Sequence, residues 1–296
     1  MASLRARLVN RFIRRKLKPL PLPDIDPVRL RAMMEANSLH LLPKSVARTE
    51  VLAPVRGEWQ RPATTRPGRT ILYFHGGGYV FGSPRLMSPI SCGLAAAAEA
   101  PVFSLDYRLA PEHPFPAALE DALAAFDFLV GEGAPPGDIH VGGDSAGGGL
   151  ALAMMQALRD RGAALPGGGF LISPWTDLAA RGASIDENDV RDAMFTADSI
   201  RRGGAKYAGA LPLDDPRVSP LYGRFDGLPR LFICASRDEV LRDDAIRTAE
   251  KARAAGVSVE LQIEEGLVHI WPLFAPLMPE SGRTIKAIAA FIRQDR

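Results

Sequence analysis

Residues 139–160 read IHVGGDSAGGGLALAMMQALRD, and the fold can be worked outward from them. Residues 139–143 form a short, β-prone run. From Ala146 onward no residue is β-branched, and the run from Leu150 suits a helix. Between the two stands Gly143-Asp144-Ser145-Ala146-Gly147, a G-x-S-x-G pentapeptide. A chain passing straight from strand to helix must reverse sharply there. That leaves the serine in a strained conformation with its hydroxyl presented outward. Glycines two residues to either side remove the side chains that would collide in such a turn. The helix start would bring backbone N–H groups and a positive dipole end to the same place. Ser145 is therefore the candidate nucleophile. Five letters alone recur by chance as Gly-rich turns; the strand before and the helix after carry the reading.

The same alternation continues along the chain. β-prone runs occur at 70–74, 101–107, 139–143, 169–175, 230–236 and 257–263. Helical patterns lie at about 84–99, 116–131, 146–161, 241–255 and 281–294. This predicts an α/β fold with a mostly parallel central sheet and helices on both faces. A further strand or hairpin is expected around 48–60. Two segments break the pattern: residues 1–45, and residues 177–222 between two strands. A crossover as long as the second exceeds what a helix needs, and such insertions are usually lids or disordered segments. Met194, Ile200 and Tyr207 favour a folded lid.

Composition bounds what such a fold could do. The chain has 296 residues, 47% of them hydrophobic, enough for a sizeable core. A net charge of +2 calls for no nucleic-acid partner. The two cysteines, Cys92 and Cys234, are far apart, form no C-x-x-C pair, and fit a reducing, cytoplasmic setting. No run of ~18 or more apolar residues predicts a membrane span. The N-terminus is basic, with Leu4, Leu8, Phe12 and Ile13 at helical spacing; Arg5, Arg7 and Arg11 interrupt it too often for a secretory signal. It reads as a helix laid over the domain with its basic face in water, rather than a membrane-surface helix. An oligomer is compatible with everything in the sequence.

A serine nucleophile needs a base, an acid and an oxyanion hole. Tyr73-Phe74-His75-Gly76-Gly77-Gly78-Tyr79-Val80-Phe81 follows a strand, and its glycines let backbone N–H groups approach a developing oxyanion closely. Gly76, Gly77 and Gly78, with the N–H of Ala146 after the nucleophile, are the candidate donors. A phosphate loop is excluded because the last glycine of G-x-G-x-x-G is missing and no Gly-Lys-Ser/Thr follows. His75 precedes the serine and reads as a loop organiser. In this fold the chain order is serine, acid, histidine. His40 lies in the N-terminal segment, His113 in a turn and His140 within the strand feeding the serine. His269 alone follows a late strand and is the candidate base. The acid should follow the run at 230–236. Asp238 and Glu239 both qualify, and composition cannot separate them; Asp243 and Asp244 come later, on the helix, where solvent or capping roles are expected. No H-E-x-x-H or Cys/His cluster is present, so no metal or organic cofactor is expected.

With these residues in place, the chain resembles the hormone-sensitive-lipase family of α/β-hydrolases, in its bacterial GDSAG branch. The likeness runs through HGGG at 75–78, DYRLAPEHPFPAALED at 106–121, GDSAGG at 143–148, SPWTDL at 173–178, DPRVSPL at 215–221 and G-x-x-H at 266–269. The family's acid loop, D-P-L-R-D-E-like, overlays 239–244 without a gap, which implies Glu239 where most members carry aspartate. The resemblance also implies cap helices from residues 1–45, a hydrolase domain over 46–296, and a second cap part at 177–222. It implies that Asp106, Arg108 and Glu112 form a charged network supporting the oxyanion loop. By analogy it implies a serine carboxylesterase acting on small, short-acyl esters or lactones through an acyl-enzyme. Plant gibberellin receptors resemble this family but have lost the catalytic histidine; the retained His269 argues against such a non-catalytic receptor.

Overall fold

The computed structural model describes residues 2–36, 38, 42–275 and 277–294; His40 lies outside them. Among these residues eight strands form one sheet: β1 (Val46–Val51), β2 (Gly57–Pro62), β3 (Thr70–Phe74), β4 (Val102–Leu105), β5 (Ile139–Asp144), β6 (Gly168–Ile172), β7 (Leu231–Ser236) and β8 (Val259–Glu264). Their order across the sheet is β1-β2-β4-β3-β5-β6-β7-β8. The β1–β2 and β2–β4 pairings are antiparallel, and every pairing from β4 to β8 is parallel. The strand expected around 48–60 is the β1–β2 hairpin.

Among the described residues ten α-helices accompany the sheet: α1 (Leu4–Lys16), α2 (Pro27–Ala36), α3 (Ser88–Ala98), α4 (Ala117–Gly131), α5 (Ala146–Asp160), α6 (Ser184–Glu187), α7 (Ala197–Gly203), α8 (Ala205–Ala208), α9 (Arg242–Ala254) and α10 (Pro279–Arg293). Strand side chains alternate between faces, so each face carries its own apolar cluster. Leu72, Phe74, Val141 and Ile233 pack with α4, α5 and α9. Ile71, Tyr73, Phe232 and Cys234 pack with α3 and α10. The inner strands are buried on both faces, which is why they read as continuous apolar runs.

The described parts of the two exceptional segments are folded and tied together. Met194, Ile200 and Tyr207 are all buried. Tyr207 stacks on Tyr79 with ring centroids 3.7 Å apart. Helix α1 is anchored at both ends. The Ser3 N–H donates to Glu280 Oε1 (2.8 Å), Asn10 Nδ2 donates to the Gly266 carbonyl (2.8 Å), and Arg14 Nη1 donates to the Val190 carbonyl (2.7 Å). Of its four apolar residues at helical spacing, only Ile13 is buried, alongside Ala6; Leu4, Leu8 and Phe12 are 72%, 59% and 60% exposed. The helix therefore packs through a narrower face than its apolar spacing predicts. No helix among the described residues is long and apolar enough to cross a membrane.

Candidate active site

Strand β5 delivers Ser145 to the sheet's C-terminal edge, and α5 leaves immediately after it. Ser145 has φ 54° and ψ −120°, a region that non-glycine residues rarely adopt. Such strain costs ~1–3 kcal/mol and persists only where its surroundings impose it. Here the Ser145 N–H donates to the Ile172 carbonyl (2.8 Å), and the Ser145 carbonyl accepts from the N–H groups of Gly148 (3.0 Å), Gly149 (3.2 Å) and Trp175 (2.9 Å). The flanking glycines are sterically required: a Cβ on Gly143 or Gly147 would stand 2.2 or 2.0 Å from the Phe74 carbonyl oxygen.

His269 follows β8, and Glu239 follows β7. His269 Nδ1–H donates to Glu239 Oε2 at 2.9 Å, with both side chains buried. The other Glu239 oxygen accepts from the Ser236 N–H (3.2 Å). Asp238 turns away and accepts from the Gly266 N–H (2.8 Å), so it braces the histidine loop. The edge of the Phe195 ring packs on the imidazole at 5.0 Å, 72° between planes. Burial raises the Glu239 carboxyl above its ordinary range, against the pull of His269. Burial by itself would lower His269, but the hydrogen bond and charge of Glu239 outweigh it and hold the imidazole above its ordinary value. His269 Nε2 is buried and makes no hydrogen bond among the described residues. It shares an apolar cavity with Ser145. A serine–histidine bond absent from a ligand-free site can tighten once substrate is bound.

The glycine loop divides its labour. Gly76 is corrected as an oxyanion donor: its N–H already donates to Asp144 Oδ1 at 3.0 Å. The N–H groups of Gly77, Gly78 and Ala146 make no hydrogen bond among the described residues. Gly77 (φ 121°) and Gly78 (φ 61°) adopt backbone conformations that side chains disfavour. Asp144 is buried between Gly76 and the Tyr73 hydroxyl, and burial pushes its carboxyl up to about 6. His75 organises the loop from within. Its Nδ1–H donates to the Gly76 carbonyl (2.8 Å), and its ring stacks on Tyr107 at 4.1 Å. Burial lowers it to about 4, so it is neutral at pH 7.

Several supporting residues escaped the sequence reading. Asp192 Oδ2 accepts from the Val240 N–H (2.8 Å), and Asn188 Nδ2 donates to the carbonyls of Arg237 (2.8 Å) and Glu239 (2.9 Å). The long insertion thus clamps the acid loop as well as lining the cavities at Ser145. No local motif marks these two residues. Ser173, at φ 46°, accepts the Ile270 N–H through Oγ (3.2 Å), next to His269. Asp244 is corrected from a solvent or capping role: it is buried and accepts from the N–H groups of Thr176 and Asp177, both at 2.8 Å. Asp106, Arg108 and Glu112 are not one network. They belong to separate pairs with Arg56 (2.9 Å), Asp121 (2.8 Å) and Arg31 (2.7 Å). Only Arg31 reaches the glycine loop, donating to the Val80 carbonyl (2.8 Å). His140 is buried against Phe291, distant from this chemistry. Among the described residues no three His, Cys, Asp or Glu side chains gather as metal ligands would.

Comparison with known proteins agrees with this fold. A family model described as the alpha/beta hydrolase fold matches residues 71–273. The chain is 40% identical over 273 residues to an acetyl-hydrolase of Streptomyces hygroscopicus, spanning 91% of this chain and 90% of that protein. Its fold superposes on EstE5, solved after soaking with p-nitrophenyl butyrate, with a TM-score of 0.93 at 35% identity, covering 99% and 98% of the two chains. An esterase of the bacterial hormone-sensitive lipase family superposes with a TM-score of 0.91 at 37% identity, again covering 99% and 98%.

Proposed function

The chain belongs to the α/β-hydrolase family, in its bacterial hormone-sensitive-lipase-like branch, and on that footing we propose how it works as a carboxylic ester hydrolase. It is a serine carboxylesterase in which Ser145 is the nucleophile, His269 the base and Glu239 the acid. Residues 1–45 and 177–222 form its cap. The observation that carries the reading is the buried His269–Glu239 bond facing the same cavity as a strained serine elbow.

The steps follow from the groups at hand. His269 Nε2 takes the Ser145 hydroxyl proton as Oγ bonds to the ester carbonyl carbon. The carbonyl oxygen gains negative charge and accepts hydrogen bonds from the N–H groups of Gly77, Gly78 and Ala146, each such donor being worth ~10²–10³ in turnover. Glu239 holds the imidazole in the tautomer with Nε2 free and stabilises the imidazolium that forms. The carbon–alkoxide bond then breaks, and the imidazolium proton goes to the leaving alcohol. Water repeats the sequence on the acyl-enzyme, giving its proton to His269 while its oxygen bonds to the acyl carbon. Release of the acid returns the proton to Ser145.

The test is hydrolysis of p-nitrophenyl acetate, butyrate and octanoate by wild type and Ser145→Ala. Rates that fall with acyl length and drop ~10⁴-fold or more in the variant are expected. Undiminished activity in a folded Ser145→Ala protein would remove the serine from the mechanism.

A further inference from the structure

Two cavities open from Ser145, and they differ in size and lining. The smaller, about 70 Å³, is walled by Gly78, Trp175, Ile200, Gly203 and Leu241. The larger, about 450 Å³, runs past His269 and Leu273 to Leu17, Met34 and Leu86. Ser145 and Gly77 border both, but His269 borders only the larger. That asymmetry has a chemical consequence. The leaving alcohol is protonated by the same imidazole that took the serine proton, so its oxygen departs on the histidine side. With the carbonyl oxygen turned to the glycine N–H groups, the acyl substituent must point to the side without the histidine.

Resting on the esterase reading above, we propose that the large cavity binds the alcohol part of the substrate and the small one the acyl part. The preferred substrates are short-acyl esters of large apolar alcohols. Size sets the first half: against the ~10–15 Å³ that seats one water, the small cavity takes a handful of non-hydrogen atoms, an acetyl to butyryl group. Lining sets the second. Among the described residues, Lys16 and Ser38 are the polar side chains along the large cavity apart from Ser145 and His269. Four methionines, Met33, Met34, Met87 and Met194, line it as well. Unbranched thioethers repack around apolar groups of different shape, so they suit a hydrocarbon alcohol better than one fixed ligand. Helices α1 and α2 supply its outer wall, so the N-terminal segment sets alcohol selectivity.

Ester pairs that exchange chain length between the two sides test this. We would measure kcat/KM for ethyl acetate, octyl acetate and ethyl octanoate, with Ser145→Ala as the control. Octyl acetate should exceed ethyl octanoate by about tenfold or more, the scale on which a tight pocket rejects extra methylenes. Ile200→Ala, which enlarges the small cavity, should narrow that gap. Met34→Trp, which fills the large one, should lower the octyl-to-ethyl acetate ratio. Equal or reversed preference between the octyl esters, with hydrolysis still lost in Ser145→Ala, overturns the assignment and leaves the esterase reading intact. So does a gap that Ile200→Ala fails to move. No hydrolysis of any of the three by folded wild type overturns both.

Discussion

At the residue scale, the proposed mechanism turns on one adjacent pair of acids. Asp238 and Glu239 carry the same charge and sit one position apart, so composition could not choose between them. The turn after β7 chooses: Glu239 faces inward to His269, while Asp238 reaches the Gly266 N–H. Because the Glu239 charge holds the imidazole above its ordinary value of 6.5, the acid limb of activity should lie above that pH. The sign follows from the base's task. His269 accepts a proton only when neutral, so kcat/KM must fall as pH drops through the raised value. Glu239→Gln keeps the volume and loses the charge. It should lower kcat by ~10³–10⁴, as loss of a triad carboxylate does elsewhere. The residual activity should also show an acid limb shifted to lower pH. A kcat/KM–pH profile of both proteins measures the two effects together. A variant limb left in place would mean that Glu239 does not set the imidazole's titration.

At the element scale, the β5–α5 junction is where sequence and structure agree most closely, because sterics leave the junction few alternatives. Gly147 opens a helix, and helix propensity alone would favour alanine there by up to ~1 kcal/mol. Contact reverses that sign: the added Cβ would meet the Phe74 carbonyl oxygen at 2.0 Å, and backbone cannot yield cheaply. Gly147→Ala should therefore destabilise by about 2 kcal/mol or more. Gly131, at the end of α4, has nothing within 4 Å of its would-be Cβ. Gly131→Ala should be neutral or stabilising by a few tenths of a kcal/mol. Urea melts of the pair separate contact from propensity. The α1 helix was less legible. Periodicity states which residues share a face, not what covers it, and Leu4, Leu8 and Phe12 share a face that stays largely exposed among the described residues. The clamp of Asn188 and Asp192 on the acid loop was not legible at all. It joins residues about fifty positions apart through single hydrogen bonds, and no local pattern encodes such a partner. The glycine loop was legible as an anion site, but not in its division of labour, because the acceptor that occupies the Gly76 N–H comes from Asp144 on another strand.

At the scale of the whole molecule, parallel strands point their carboxyl ends to one edge, which brings Gly77, Ser145, Glu239 and His269 together from four separate strands. That edge must be held against the long segment between β6 and β7, and the hold is polar and buried. Asp244 on α9 accepts the N–H groups of Thr176 and Asp177 just past β6. Asp177 in turn binds Arg247 (2.7 Å) and accepts from the Tyr222 hydroxyl (2.9 Å) at the far end of the insertion. Two carboxyl groups thus share one buried knot, and the knot is sensitive to pH. Burial, then the charge of Asp177, pushes the Asp244 carboxyl up to about 8 from an ordinary 3.8. The folded chain therefore holds a proton there that the unfolded chain has released. Between about pH 4 and 8 folding binds the extra proton, so this site makes the protein less stable as pH rises across that window. Asp244→Asn keeps an oxygen for both N–H donors and removes the titration. Relative to wild type, its urea midpoint should rise steadily from pH 5 to 8, with the smallest difference at the acid end. A difference that stays flat with pH would mean that Asp244 is ionised in the folded state at neutral pH, its charge carried by the two N–H donors and Arg247.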